Sequence, residues 1–144
     1  MRSVIEKKSL ALLQLIAPLT ALLVPVFFLT YTVDYFTFNK FYLVSVLASV
    51  SLILWAIHNI ASNKLVITTS PISSSFLGLV LAFIASSLFV SPIKVMSLTG
   101  STTFFVSLFI IFFTTNSVTK SYNLVKNIIL SLLFSNVLVS FVSI

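Results

Sequence analysis

The sequence predicts an all-α protein, a polytopic bundle of about five transmembrane helices whose N-terminus lies on the inner side of the membrane. Hydrophobic residues make up 59% of the chain and charged residues only 7%, whereas a soluble domain carries about 25% charged residues. The mean hydropathy is +1.23. Apolar stretches near the ~20 residues that cross a bilayer recur along the whole chain. So little charge suits a surface that faces lipid, and no soluble domain is predicted.

The first apolar run follows a short basic head, residues 1–8, which we expect in the cytoplasm. This run is longer than the roughly 7–15-residue core of a signal peptide, so it predicts a true span that also directs insertion. It contains Pro18 and Pro25, which membrane helices tolerate. The five predicted spans cover residues 9–31, 41–62, 72–90, 103–119 and 127–144.

The connections between the spans carry the residues typical of a membrane–water interface. Asp34, the only aspartate, lies among aromatic residues in the first connection, and Trp55 and His58 lie near the far end of the second span. The third connection, residues 91–102, is predicted as a loop. The fifth span reaches the end of the chain without a polar flank, which predicts that the chain is a truncated piece of a longer protein.

The distribution of basic residues predicts the orientation, because cytoplasmic connections carry an excess of Lys and Arg. With the N-terminus inside, the six inner basic residues are Arg2, Lys7, Lys8, Lys64, Lys120 and Lys126. Lys40 and Lys94 then lie on the outer side. Scattered cations of this kind anchor helices to headgroups, whereas a nucleic-acid interface clusters them on one face. No nucleic-acid partner is expected.

The chain is poor in the side chains that perform chemistry. It has no Cys and one each of His, Asp and Glu. General acid–base catalysis usually needs two positioned groups, and metal sites need three or four ligands. We therefore predict no catalytic residue, no metal site and no cofactor. His58 is interpreted as an interfacial residue near the inner surface, since the sequence shows no partner for it.

Small residues recur at helical spacing in the third span. Gly78, Ala82 and Ser86 follow one another at intervals of four residues, which places them on one face of a helix. Because such a stripe lets another backbone approach closely, it predicts a face for packing against a neighbouring helix. A ligand groove on this face is the less favoured alternative.

The order of these segments resembles the start of bacterial O-antigen ligase and O-antigen polymerase-like membrane proteins. The first span ends in Pro-Val-Phe-Phe at Pro25, and a short outer loop follows with Asp34, aromatics and a Phe-Asn-Lys ending at Lys40. The second span ends near Trp55, and a basic, β-prone segment then leads to Pro71. Later in the chain comes a Ser-Leu-Thr-Gly segment, residues 97–100.

The resemblance implies a role in transferring or polymerising glycan carried on polyprenyl diphosphate at the outer face of the bacterial inner (plasma) membrane. Members of that family have about a dozen spans, and their catalytic Arg and His residues lie in later outer loops. The chain therefore matches the N-terminal portion only, and we expect it to catalyse no transfer alone. With such a role, the residues expected to contribute to substrate binding are Asp34, Lys40 and Lys94.

Two other functions stay open at this point. The first is a small non-enzymatic membrane scaffold, whose helices pack on further transmembrane helices of the same or another chain. The second is a small transporter. Transporters carry charged residues within their spans or broken helices paired across repeats. The predicted spans hold no Lys, Arg, Asp or Glu in their centres, so the transporter is the least favoured of the three.

Overall fold

The chain is described here by a computed structural model that covers residues 2–27, 37–65, 67, 70–118 and 122–142. Throughout this part of the chain the only regular structure is helical, which confirms the predicted fold class. The helices are α1 (Arg2–Val26), α2 (Thr37–Ser62), α3 (Pro71–Phe89), α4 (Lys94–Ser97), a π-helical turn (Leu98–Thr102), α5 (Thr103–Val118) and α6 (Tyr122–Val142).

Five helical segments are long and apolar enough to cross a membrane, in agreement with the predicted number of spans. They are Val4–Val26, Asn39–Ser62, Pro71–Phe89, Lys94–Val118 and Asn123–Ser140. Each has 18 to 25 residues, or about 27–38 Å at 1.5 Å per residue. These lengths match a hydrocarbon core of about 30 Å, so the chain is a multi-pass membrane protein.

Two helix boundaries show how local side chains set these lengths. α2 gives way to Asn63, which has a φ of 55° and so turns the chain in the left-handed region that Asn tolerates. Before α3, the Ser70 hydroxyl accepts from the Ser73 amide at 3.1 Å, and the Ser73 hydroxyl accepts from the Ser70 amide at 3.2 Å. This reciprocal capping, with Pro71 as the first helical residue, fixes where α3 begins.

The structure differs from the sequence-based boundaries at two places. α1 begins at Arg2, so residues of the basic head continue the first helix. The stretch predicted as a loop, residues 91–102, contains α4 and the π-helical turn, which run directly into α5. Serine and threonine suggest a loop in water, but in a membrane an unpaired backbone amide costs several kcal/mol, so the backbone stays hydrogen-bonded.

The first helix lies at the centre of the bundle. α1 packs on α2, α5 and α6, and α3 packs on α5. Among the described helices, α6 packs on α1 alone. Side-chain pairs show that α2 and α5 run parallel, because Ser45 lies beside Ser107 and Ser51 beside Thr114. Successive spans alternate in direction across a membrane, and the parallel pairing of the second and fourth spans agrees with that alternation.

The buried residues of α1, and those in the middle of α2, recur every three to four positions. Ile16 of α1, Val44 and Ala48 of α2 and Ile111 of α5 form the core cluster, and each is at most 5% exposed. Such spacing keeps one face of each helix turned to its neighbours. Small and β-branched residues here let the three helices approach closely, which is how helices associate when lipid is as apolar as the core.

α3 is held on α5 mainly by aromatic rings. The rings of Phe83 and Phe105 stack with centroids 4.1 Å apart. About two turns earlier on α3, Phe76 contacts Phe109 edge-on at 5.5 Å and Phe112 at 5.6 Å. Offset and edge-to-face pairs of this kind add about 0.5–1.5 kcal/mol each beyond their buried area, so these phenylalanines fix the helix pair.

Hydroxyl groups join α2 to α5 inside the bundle. The hydroxyls of Ser45 and Ser107 lie 3.2 Å apart, and those of Ser51 and Thr114 are hydrogen-bonded to one another. Ser51 is fully buried and Thr114 is 2% exposed. Bonds of this kind average about 0.6 kcal/mol in membrane helices. They fix the register of the two parallel helices, since a shift by one residue would separate the paired hydroxyls.

Candidate functional site

The two ends of the bundle are named here after the residues that mark them. The Lys40 end contains the start of α2, together with α4 and the π-helical turn. These elements meet there, because a Cβ added at Gly100 would lie 3.7 Å from Cε2 of Phe41. The His58 end contains the start of α1, the end of α2 and Lys64. The two ends differ in the chemistry that their side chains present.

The substrate residues implied by the resemblance are partly brought together. Lys40 stands at the start of α2 and is partly exposed, and Lys94 begins α4 and is exposed. Since the π-helical turn that follows α4 touches the start of α2, both lysines belong to the Lys40 end. Asp34 lies outside the described residues.

A pocket of about 440 Å³ opens at the Lys40 end between α2 and the π-helical turn. Its walls combine two aromatic rings with three aliphatic hydroxyl groups. The lining residues are Phe41, Tyr42, Ser45, Thr99 and Thr103. Its size falls within the range of pockets that hold small organic ligands, about 300–1,000 Å³.

The three aliphatic hydroxyls of this pocket already have acceptors for their protons. Ser45 and Thr99 each donate to the carbonyl four residues earlier, both at 2.8 Å, and Thr103 donates to the carbonyl five residues earlier at 2.6 Å. A hydroxyl whose proton is engaged still offers lone pairs. The pocket therefore presents hydrogen-bond acceptors, which suit a ligand that is itself rich in O–H groups.

The shape of the pocket depends on the break in the fourth span. At Gly100 the backbone leaves helical values, with φ −92° and ψ −105°. The Ser97 hydroxyl donates to the Ser87 hydroxyl at 2.8 Å, and Ser87 is also hydrogen-bonded to Thr102. Ser87 and Thr102 are at most 4% exposed. This cluster ties the end of α3 to both sides of the π-helical turn, and π-type irregularities of this kind often mark functional sites.

Sequence reasoning named part of this region but missed the pocket. The Ser-Leu-Thr-Gly segment was singled out for its resemblance alone, and Tyr42, Ser45, Thr99 and Thr103 were not predicted as site residues. The signal that points to them is local: six of the seven residues 97–103 are Ser, Thr or Gly. So many hydroxyls beside a glycine in an apolar chain indicate an irregular, hydrogen-bonded turn.

His58 has a partner that the sequence did not show. It is 6% exposed, and its Nδ1 lies 3.3 Å from the hydroxyl of Ser9. The Ser9 hydroxyl also lies 3.0 Å from the Glu6 carbonyl, to which it donates. His58 and its partner thus link α1 to α2, and the position of His58 near the inner surface stays a prediction.

The predicted packing stripe on α3 faces away from the other described helices. Gly78, Ala82 and Ser86 are all exposed, and no atom of the described chain lies within 4 Å of a Cβ added at Gly78. The buried residues of α3, among them Ser73 and Val80, lie on its other side. Packing of the stripe on a helix outside this chain stays a prediction, since no described helix covers it.

No family model, no curated protein and no solved structure matches the chain. Across the described ranges, no group of three or more His, Cys, Asp or Glu side chains is placed where it could hold a metal ion. The Lys40 end, with its pocket and two lysines, is thus the candidate site on which a function is proposed.

Proposed function

We propose that the Lys40 end binds glycan carried on polyprenyl diphosphate, as part of an O-antigen ligase-like protein of the bacterial inner membrane. The observation that carries this proposal is the pocket between α2 and the π-helical turn, with Lys40 on α2 and Lys94 on α4, the short helix that precedes the turn. In the predicted orientation this end faces outward, where such glycans are transferred in the family that the chain resembles.

Each part of the site matches a part of this ligand. A sugar ring offers O–H donors, and the pocket offers acceptors in Ser45, Thr99 and Thr103. The apolar face of a sugar fits against the aromatic ring of Phe41 or Tyr42, both of which line the pocket. A diphosphate needs positive charge, and a lysine near an anionic surface contributes about 1 kcal/mol. The polyprenyl chain belongs in lipid.

The role proposed for this chain is binding rather than transfer. Transfer from a diphosphate needs preorganised positive charge at the leaving group and a base for the acceptor hydroxyl. The only Arg of the sequence is Arg2, and the only His is His58, which lies at the opposite end of the bundle. Two lysines lack the bidentate fork with which arginine holds phosphate.

Binding to the purified chain in lipid nanodiscs tests the proposal. The ligand is a polyprenyl diphosphate that carries a short fluorescent glycan, and polyprenol without the diphosphate is the reference lipid. Replacing both Lys40 and Lys94 by Gln should weaken binding roughly tenfold or more, because two favourable charge contacts are removed. The matched control replaces Lys64 and Lys126, both exposed and both on the predicted inner side.

A second arm separates the glycan from the diphosphate. Thr99→Val removes one acceptor of the pocket and keeps the size of the side chain, so it should weaken only the part of the affinity that the glycan adds. Equal loss in the two lysine double variants would show that bulk charge, and not this site, attracts the ligand. If the chain bound the glycan-bearing lipid and bare polyprenyl diphosphate with equal affinity, the pocket would have no part in binding.

The second candidate is a non-enzymatic scaffold, and the exposed stripe of Gly78, Ala82 and Ser86 favours it. A partner helix seated there would approach the α3 backbone closely, so Gly78→Leu should weaken the complex by about 1–2 kcal/mol. The measurement is the dissociation constant of the complex between this chain and the partner's transmembrane helix, both in nanodiscs. Leu77→Ile on the same helix is the control. An unchanged constant would exclude the stripe as the contact.

A further inference from the structure

A groove lies between the start of α1 and the end of α2, at the His58 end of the bundle. It has a volume of about 290 Å³ and is lined by four aliphatic side chains, Ile5, Ile57, Ile60 and Ala61. Ile5 and Ala61 are each one residue from the end of their apolar spans, Val4–Val26 and Asn39–Ser62. The α1/α2 groove, as it is named below, therefore lies where the hydrocarbon core meets the headgroups.

The groove continues into the membrane as an apolar lane on α2. The lane consists of side chains spaced three, four and three residues apart, which places them on one face of the helix, and each is at least 40% exposed: Ile60, Ile57, Ile53 and Val50. Ten residues separate Ile60 from Val50, or about 15 Å along the helix. Since the hydrocarbon core is about 30 Å thick, the lane is one leaflet deep.

Two exposed lysines flank the α1/α2 groove. Lys8 follows Ile5 by three residues, which places the two side chains on the same face of α1. On the other helix, the Ser62 hydroxyl donates to the Lys64 carbonyl at 3.3 Å and holds Lys64 at the last turn of α2, three residues after Ala61. Because a lysine extends its ammonium group toward water along an apolar stem, both charges belong at the headgroup level.

Positive charge is in excess around the groove. Lys7, Lys8 and Lys64 are all exposed at this end, and Glu6 is the only acidic residue in the part of the chain that the structure describes. One carboxylate cannot neutralise three ammonium groups. Basic sites between transmembrane helices attract the phosphate groups of anionic lipids, so the charge at this end suits an anionic ligand.

We propose that the α1/α2 groove binds an anionic phospholipid, with an acyl chain on the apolar lane and the phosphate between Lys8 and Lys64. The charges favour a lipid over another helix. An apolar helix in the groove would cover the lysines without neutralising them, and burying an unpaired charge is costly. A phospholipid supplies both the apolar chain and the anion. The site lies at the opposite end from the proposed glycan site and does not depend on it.

Photolabelling of the chain in nanodiscs tests the site. The probe is phosphatidylglycerol with a photoreactive diazirine in its acyl chain, added in trace amount to phosphatidylcholine. We expect the label mainly on residues 50–61, and we expect unlabelled phosphatidylglycerol to displace it. Equal labelling by a phosphatidylcholine probe, or displacement by inorganic phosphate at constant ionic strength, would overturn the proposal. Both leaflets of the nanodisc have the same composition, so the result does not depend on the orientation of the chain.

The role of the charges is tested by their removal. Replacing Lys8 and Lys64 by Gln should reduce the preference for phosphatidylglycerol over phosphatidylcholine about tenfold, because two favourable charge contacts are lost. The matched control replaces Lys7 and Lys126, both exposed. Lys7 is two residues from Ile5 and so points to another face of α1, and Lys126 lies on α6. Equal losses in the two double variants would show that bulk charge, and not this groove, selects the lipid.

The role of the apolar groove is tested without a change of charge. Ala61→Phe fills the groove and should reduce labelling by the phosphatidylglycerol probe several-fold. Ala82→Phe, the same change at an exposed position of α3, should leave labelling of residues 50–61 unchanged. Undiminished labelling of the Ala61→Phe chain would show that the acyl chain does not occupy the groove and would overturn the proposal.

Discussion

Replacing Ala48 by Leu should lower the free energy of unfolding of the chain in lipid by about 1–3 kcal/mol. Ala48 is 2% exposed and lies in the cluster in which α1, α2 and α5 meet. Three additional carbon atoms at this point force the helices apart. In doing so they also disturb the register that Ser51 and Thr114 fix between α2 and α5.

Ala82→Leu is the matched control for this prediction. It is the same substitution on an apolar helix, but Ala82 is exposed, so the new side chain extends into lipid and should change stability by less than about 0.5 kcal/mol. Unfolding of both variants in mixed micelles, followed by the fluorescence of Trp55, measures the difference. Similar effects at positions 48 and 82 would contradict the arrangement of the three central helices.

The second large effect is expected from labelling across the membrane. In intact cells, a reagent that cannot cross the bilayer should label Lys94→Cys and leave Lys64→Cys unlabelled. The reason is the excess of basic residues on the side that holds Lys64. Both positions are exposed, and the sequence offers no competing thiol. The contrast should therefore be nearly all-or-none.

Permeabilised cells provide the control for the labelling, because both positions should then react. The opposite pattern in intact cells, with position 64 labelled and position 94 protected, would invert the topology. It would also place the Lys40 end in the cytoplasm, away from the face on which lipid-linked glycan is transferred, and so remove the orientation on which the proposed function depends.

The fold class followed from the sequence because it depends on length and hydropathy, which a chain displays residue by residue. The helical turns within residues 91–102 could not be predicted in this way. Ser97, Thr99 and Thr102 have side chains that suggest a loop, but here these hydroxyls bond to α3 or to the local backbone. The difference arises from the solvent: in a bilayer, a chain with no water to bond to remains helical wherever it can.

Contacts between residues far apart in the chain could not be predicted from the sequence either. Nothing in the sequence pairs Ser9 with His58, which are 49 residues apart, or brings Phe41 beside Gly100. Hydropathy predicts that two helices lie in the membrane but not which faces they turn to each other, since lipid and protein interior are equally apolar. For the same reason the sequence predicted that the stripe at Gly78 packs on a neighbouring helix without indicating which one, and the structure leaves the stripe exposed.

The position of α1 has a consequence for how the protein is made. α1 is synthesised before α6, which packs on it. About a hundred residues separate the two helices, so at roughly 5–20 residues per second the ribosome needs on the order of 5–20 seconds to supply the second. Throughout that interval the face of α1 that will meet α6 is covered by lipid alone. Docking of α6 on α1 is thus a late, post-insertion step, in which the later helix must displace lipid from the earlier one.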